Sequence, residues 1–123
     1  MLNRHAATNL RGRVLTYLVG ASSLLGFCAA LAVLDAERAS PDANITSIGD
    51  AAWWALTTMT TVGYGDCYPS TTMGRWVAAG LMIGGVAIIG TVTGTIASWL
   101  VECISDEQTA AAASAHARAE ADG

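Results

Sequence analysis

The chain has 123 residues, of which 53% are hydrophobic and only 13% charged, and its formal net charge is −4. Soluble domains carry roughly 25% charged residues, so this composition argues against a soluble protein and favours a chain whose main solvent is lipid. The length suits one domain and excludes two independent ones, and we expect no nucleic-acid partner.

The first predicted element is a membrane span that follows a polar N-terminal segment, residues 1–13. Residues 14–34 carry no charge, and as a helix they are about 31 Å long, which matches the hydrocarbon core of a bilayer. Arg4, Arg11 and Arg13 lie just before this span. Because basic residues favour the cytoplasmic side, we expect a cytoplasmic N-terminus and, with two spans, a cytoplasmic C-terminus.

A cleaved signal peptide is the rival interpretation of the same region. Basic residues precede the apolar stretch, and Ala30, Leu31 and Ala32 resemble a signal-peptidase site. The apolar stretch is longer than the roughly 7–15 residues of a signal peptide, which favours a retained span. N-terminal sequencing of the purified protein distinguishes the two.

A loop and a short helix follow the first span. Residues 35–48 are rich in turn-forming residues and predict an exposed loop, the turret. Ser47 and Asp50 form an S-x-x-D pattern, which predicts a helix N-terminus with a capping box. The helix over residues 49–60 is about 18 Å long and cannot cross a bilayer. We therefore predict a re-entrant pore helix, which enters the membrane and ends there.

Residues 61–65, TVGYG, then lie at membrane depth without regular structure. Irregular backbone is tolerated there only when it is buried in protein or lines a water-filled cavity. Gly63 and Gly65 permit positive φ angles, and alternating backbone twists let successive carbonyls point the same way. A single pair of spans cannot surround such a loop, so we expect several copies to assemble, with Val62 and Tyr64 packing behind the carbonyls.

The region between the two spans is acidic. Between residues 35 and 75 five acids stand against two arginines, a net charge of −3 per copy. The five acids are Asp35, Glu37, Asp42, Asp50 and Asp66. A negative mouth concentrates cations, and an ordinary solvated loop is the alternative interpretation.

The second span is predicted as an inner helix over residues 74–101. Its uncharged part, Trp76–Val101, is about 39 Å long as a helix, enough to cross a bilayer with a tilt. Glycines spaced four apart along it predict close helix packing; they are Gly80 with Gly84 and Gly90 with Gly94. The tail, residues 102–123, is acidic and alanine-rich, which predicts disorder or a frayed extension of the span.

A family resemblance rests on the segment AWWALTTMTTVGYGDCYPSTTMGR, residues 52–75, which contains the motif TMTTVGYGD. It resembles the pore helix, filter and outer mouth of potassium channels, both the two-span bacterial proton-gated ones and the pore modules of voltage-gated ones. The resemblance extends roughly from Leu31 to Val101. It implies an all-α membrane protein with two transmembrane helices, a re-entrant pore helix and a selectivity-filter loop, assembled as a homotetramer.

The resemblance also implies which atoms bind the permeant ion. The K⁺ ligands are the filter carbonyls and one hydroxyl group; they come from Thr61, Val62, Gly63 and Tyr64, with Gly65 completing the filter. Tyr68 is placed at the outer mouth. No cofactor and no metal other than the permeant K⁺ is expected.

Filter support is implied for residues of the pore helix and of the segment after the filter. Thr60 begins the turn from the helix into the filter. Asp66 resembles an aspartate behind the filter that bonds to Trp53, and Trp54 resembles a tryptophan that reaches towards Tyr64. Anchoring at the membrane interface is the alternative role of both tryptophans.

The sequence departs from the bacterial relatives at Thr57, where many of them carry a glutamate that shares a proton with the aspartate behind the filter. A threonine hydroxyl bonds locally instead, so we expect weaker filter support. Leu10 and Gly12 occupy the region where the relatives carry a histidine before the first span, and the segment ECISDEQ after the second span is acidic rather than basic. Proton gating is therefore not expected, and no span carries the regularly spaced arginines of a voltage sensor.

A gate is implied along the inner helix. Gly85 resembles the family's hinge glycine, and helix packing is an equally good explanation of it. Helical spacing places Val86, Ile89, Thr93 and Ala97 on one stripe, which by resemblance lines the cavity and the gate.

These features together predict a potassium-selective channel of the cell membrane that conducts K⁺ passively, with itself, lipid and K⁺ as partners, and not an enzyme. A cation channel of relaxed selectivity is one alternative. A non-conducting membrane protein that pairs helices through small residues is another, although such a protein has no need of a re-entrant glycine loop.

Overall fold

A computed structural model describes the chain from residue 2 to residue 123, and its side chains from residue 9 onwards. Within that part of the chain there are three helices and no strand: α1, Leu2–Glu37; α2, Ile48–Met59; and α3, Thr72–Ala121. The expected all-α architecture, with two long apolar helices, is confirmed. The chain divides into two compact units, one ending at Gly90 and the other running from Thr91 to Gly123.

Helix α1 is longer at both ends than the predicted outer helix, residues 14–34. Hydropathy marks where a helix enters and leaves lipid, whereas a helix itself continues until a breaking residue or a cap. Residues 2–13 contain no proline, and the helix continues through Glu37. The turret is correspondingly shorter than the predicted residues 35–48. The predicted N-terminal segment includes residue 1 and Arg4. Residue 1 and the Arg4 side chain lie outside the part of the chain that the structure describes.

Helix α2 begins with the predicted capping box. The Asp50 N–H donates to Ser47 Oγ at 3.1 Å, and the Ser47 N–H donates to Asp50 Oδ2 at 3.1 Å. The Ser47 hydroxyl, helped by N–H groups of Thr46 and Ser47, holds the pKa of Asp50 below its usual range. The carboxylate is therefore charged at neutral pH, which favours the N-terminal end of a helix.

Helix α3 extends beyond the predicted inner helix, residues 74–101, and continues to Ala121. Of the two predicted states of the tail, the structure has the helical extension of the span, over residues 102–121. Alanine has the highest helix propensity and loses no side-chain entropy in a helix, which explains why the helix continues without a packed apolar face. The side chains of this tail are exposed.

A small core lies in the first unit and consists mainly of alanines with a few larger side chains. It joins α1, α2, the turret and the start of α3 through Ala29, Ala30, Val33, Ile45, Ala51, Trp54, Ala55, Ala78 and Leu81. Only 17% of the most apolar window of each long helix is buried within the chain. A core helix of a soluble protein would be mostly buried, so these apolar surfaces require lipid or further subunits.

Candidate functional site

The candidate site begins where α2 ends. Thr60 is the C-cap residue, and its N–H donates to Leu56 C=O at 3.0 Å. Its hydroxyl donates to the same carbonyl at 2.8 Å. The N–H of Thr61 donates to Thr58 C=O at 3.1 Å, a tightened last turn from which the chain leaves the helix. Thr60 thus occupies the turn where the sequence places it.

The five residues after this turn alternate in backbone conformation. Thr61, Gly63 and Gly65 have φ angles of 62°, 54° and 79°, and the residues between them, Val62 and Tyr64, have no positive φ. This is the alternation that the glycine spacing predicts. For the β-branched Thr61 the left-handed conformation costs about 1–2 kcal/mol, so surrounding contacts must hold the segment in place.

One such contact ties the segment to the last turns of α2. The N–H of Gly63 donates to Thr57 C=O at 3.0 Å. The Thr57 side chain is buried, and its hydroxyl donates to Trp54 C=O at 3.1 Å. Thr57 therefore bonds within its own helix, which is the local hydrogen bond expected of a threonine at this position.

A second set of contacts joins Trp53 of α2 to the segment and to the residue that follows it. Trp53 Nε1 donates to Asp66 Oδ2 at 2.8 Å, and the other oxygen of that carboxylate accepts the N–H of Cys67 at 3.0 Å. The ring of Trp53 also stacks on Tyr64, with centroids 5.7 Å apart and planes 5° from parallel. One side chain of α2 therefore contacts the middle of the TVGYG segment and the residue that follows it.

Burial, with the nearby Asp66 and Asp50 charges, raises the pKa of the Cys67 thiol.

The expected contact between Trp54 and Tyr64 stays a prediction. Within the chain the ring stacked on Tyr64 belongs to Trp53, whereas Trp54 is 3% exposed and lies in the core cluster. Consecutive residues of an α-helix point about 100° apart, so within one chain the two adjacent tryptophans face different neighbours. Trp54 anchors α2 in the core, and Trp53 makes both contacts with the segment.

Glu37 is a residue whose role the sequence does not reveal. Its side chain is fully buried at the end of α1, and its two carboxylate oxygens accept four hydrogen bonds, from the N–H and hydroxyl groups of Ser70 and of Thr71. Counting Glu37 among the acids of a solvated loop was therefore wrong. It joins the end of α1 to the start of α3, and no local pattern marks it because its partners are 33 and 34 residues away.

The turret is likewise less exposed than predicted. Ile45 is 1% exposed and belongs to the core. The hydroxyl of Ser40 lies 3.1 Å from that of Ser70. Tyr68, expected at the outer mouth, is 55% exposed and donates its N–H to Asn44 Oδ1 at 3.0 Å. The turret therefore packs against the segment that follows TVGYG.

Gly85 lies against the end of α2. A Cβ at this position would be 2.6 Å from Met59 O and 3.0 Å from Met59 Cα, so no other residue fits without backbone movement. Close packing is thus a sufficient reason for this glycine. Gly84 likewise lies against Leu25, whereas Gly80, Gly90 and Gly94 have no atom within 4 Å of such a Cβ.

The predicted gate stripe is exposed in the described chain. Val86 and Ile89 are 59% and 42% exposed. Thr93 and Ala97 belong to the second unit and are also exposed. Their role in a gate stays a prediction.

Residues 14–102 match a family model described as "Ion channel". The chain belongs to this ion-channel family. As a family member with two helices long and apolar enough to cross a bilayer, it is a membrane protein with two spans. The matched region contains both spans, the short helix α2 and the TVGYG segment.

Several curated relatives of the chain are named as potassium channels. A voltage-gated potassium channel of Aeropyrum pernix is 34% identical over 91 residues, which cover 74% of this chain and 31% of the relative. A cyclic nucleotide-gated potassium channel of Mesorhizobium japonicum is 38% identical over 94 residues, 71% of this chain and 26% of the relative. The human potassium voltage-gated channel subfamily V member 1 is 48% identical over 54 residues, 44% of this chain and 11% of the relative. The chain thus spans less than a third of the length of these relatives.

Proposed function

We propose that this chain is the pore-forming subunit of a potassium-selective channel, which conducts K⁺ passively through the TVGYG segment of four identical copies. The observation that carries the proposal is the alternation of positive φ at Thr61, Gly63 and Gly65. Such a backbone turns successive carbonyls to the same side, where their oxygens replace the hydration shell of a cation. The names of the relatives support K⁺ as that cation.

The proposed K⁺ ligands are the carbonyl oxygens of residues 61–64 and the Thr61 hydroxyl, with Gly65 ending the filter. Helix α2 ends directly before this filter. The aligned peptide dipoles of a helix place about half a negative elementary charge at its C-terminus, which stabilises a cation at membrane depth. The filter therefore needs no carboxylate among its ligands.

The geometry of carbonyl coordination supports the proposed homotetramer. One copy supplies only one carbonyl to each ring, and the side chains around the filter are open in a single chain: Tyr64 is 67% exposed and Val62 53%. Lipid cannot satisfy an irregular backbone segment at membrane depth, so other copies must cover it. The long, mostly exposed apolar faces of α1 and α3 supply the surfaces for lipid and for these copies.

In this proposal both termini are cytoplasmic and the filter opens towards the outside. The orientation rests on the arginines before the first span, of which Arg11 and Arg13 belong to the described side chains. The inner helix provides the gate, with the stripe of Val86, Ile89, Thr93 and Ala97 lining the pathway.

Reconstitution of the purified chain into liposomes tests the proposal. We expect K⁺ flux that barium blocks, and a reversal potential in opposed K⁺ and Na⁺ gradients close to that of K⁺ alone. The variant Gly63→Ala should abolish the flux, because a side chain is strained at a φ of 54°. Gly20→Ala is the matched control, since a Cβ there meets no atom within 4 Å.

Each alternative predicts a different result in the same experiment. A channel of relaxed selectivity would give equal Na⁺ and K⁺ permeability. A non-conducting membrane protein would give no flux at all, and either result would contradict the proposal.

A further inference from the structure

Asn44 of the turret makes a paired contact with the segment that leaves the filter. Its Nδ2 donates to Asp66 C=O at 3.2 Å, and its Oδ1 accepts the N–H of Tyr68 at 3.0 Å. One amide side chain therefore forms hydrogen bonds with a backbone acceptor and a backbone donor that lie two residues apart in the same segment. Its partners lie 22 and 24 residues further along the chain.

The backbone at Asn44 is held in place by neighbouring residues of the turret. Its neighbour Ile45 is 1% exposed in the core, and Ser47, three residues on, is the N-cap of α2. The amide group therefore projects from a rigid position and not from a free loop. A donor and an acceptor held in this way restrict the partner backbone more than a mobile side chain would.

Asp66 is consequently held from two directions. Trp53 Nε1 and the N–H of Cys67 bond its carboxylate, whereas Asn44 bonds its carbonyl. Gly65, directly before it, has a φ of 79°. Rotation of the peptide group between Asp66 and the next residue would break the hydrogen bond to Asn44.

We propose that Asn44 is a positioning residue of the ion pathway, which holds the outer end of the filter in its conducting geometry through the carbonyl of Asp66 and the N–H of Tyr68. This inference rests on the proposed function as a K⁺ channel. Strained backbone persists only where the surroundings over-determine it. The filter contains Thr61 in a strained conformation at its inner end, and Asn44 supplies such a constraint beyond its outer end.

Two substitutions separate the two hydrogen bonds. Asn44→Leu keeps the approximate volume and removes both bonds. Asn44→Asp keeps an oxygen that accepts the Tyr68 N–H and loses the donor to Asp66 C=O. Asn9→Leu makes the same chemical change at an exposed position of α1 and is the matched control.

The first measurement is amide hydrogen exchange at Tyr68 in the full-length protein in lipid nanodiscs. We expect exchange in Asn44→Leu about fivefold faster than in wild type, the equivalent of one lost hydrogen bond. Asn44→Asp and Asn9→Leu should exchange at about the wild-type rate. Equal Tyr68 exchange in wild type and Asn44→Leu would overturn the inference, whether or not the protein conducts.

The second measurement is the decay of K⁺ current in bilayer recordings, with the thermal stability of the assembly measured in parallel. Asn44→Leu should speed the decay by about fivefold or more, Asn44→Asp by less, and Asn9→Leu not at all. High external K⁺ should reduce the difference, because bound K⁺ stabilises the ordered filter by mass action, and thermal stability should change little. A purely structural role would instead lower stability in proportion.

The failures of the two proposals are distinguishable. Wild-type protein that does not conduct K⁺ overturns the proposed function, while Tyr68 exchange still reports whether Asn44 holds the segment. Wild-type protein that conducts normally, with Asn44→Leu showing faster exchange but unchanged current decay, overturns the positioning role alone.

Discussion

Individual side chains fix the segment after α2 through contacts that differ in kind. Trp53 contributes a hydrogen bond to Asp66 and a stacked ring on Tyr64. Glu37 contributes a buried carboxylate with four donors. The first contact touches the proposed filter directly, whereas the second joins two helices away from it, so their removal should have different consequences.

Trp53→Phe removes the hydrogen bond to Asp66 and keeps an aromatic ring opposite Tyr64. We expect the decay of K⁺ current to become about fivefold faster, since one hydrogen bond contributes about 1 kcal/mol. Bilayer recordings measure the decay. Trp76→Phe is the control, because Trp76 is 73% exposed in the described chain. If both variants decayed at the wild-type rate, the Trp53–Asp66 bond would have no role in the filter.

Glu37→Ala leaves four donors of the half-buried Ser70 and Thr71 without their acceptor. We expect the protein to lose about 1–3 kcal/mol of stability, more than a surface substitution costs, because donors that lose their partner away from bulk water carry a desolvation penalty. Thermal unfolding in detergent measures the loss. Asp35→Ala, an exposed acid two residues earlier, should change the stability by less than about 0.5 kcal/mol. Similar unfolding temperatures for Glu37→Ala and Asp35→Ala would contradict a stabilising role of the buried Glu37 carboxylate.

Among the helices, α2 depends on both of its ends. Its N-terminus has the capping box of Ser47 and Asp50. Its C-terminus lies against α3 at Gly85, where a Cβ would be 2.6 Å from Met59 O. Because the proposed filter continues directly from this end, we expect the contact between Gly85 and Met59 to set the position at which the filter starts.

Gly85→Ala should therefore destabilise the protein, by about 1–3 kcal/mol for an overpacked site, and reduce K⁺ flux by displacing the end of α2. Gly20→Ala should instead leave the stability unchanged or raise it by about 0.4–1 kcal/mol, because its Cβ meets open space in a helix. Thermal unfolding and liposome flux measure both effects. If Gly85→Ala kept the wild-type stability and K⁺ flux, the close approach of Gly85 to Met59 would not be needed for either.

The assembled channel is proposed to be held together partly by its own permeant ion. In the proposed tetramer, K⁺ in the filter would bind residues of all four copies at once, and any ligand that binds only the assembled state stabilises it by mass action. The most apolar windows of α1 and α3 have few polar groups to add to such a site.

Replacing K⁺ by Na⁺ should therefore lower the temperature at which the tetramer dissociates, and K⁺ at about 100 times its dissociation constant corresponds to about 2.7 kcal/mol of stabilisation. Gel electrophoresis of heated samples measures the transition. In Gly63→Ala the two ions should give the same transition, because its filter geometry is lost. A wild-type protein insensitive to the ion would argue against a K⁺ site shared by the copies.

The sequence predicted those elements that depend only on residues close together in the chain. Both spans, the capping box of Ser47 and Asp50, and the positive φ of Gly63 and Gly65 are confirmed. Each depends on a run of apolar residues, on a spacing of three residues or on the missing Cβ of glycine. The ends of the long helices were predicted less well, because lipid thickness limits the apolar stretch and not the helix.

The sequence alone determined that this chain enters a membrane twice and places an alternating glycine backbone between its spans, because solvation and backbone sterics act residue by residue. Only the tertiary structure decided that the ring of Trp53 stacks on Tyr64 of the same chain, and that Glu37 and Asn44 hold segments 22 to 34 residues away. Such contacts depend on which helix face is turned inward and on how two distant backbones approach. The spacing of residues along the sequence therefore does not predict these contacts.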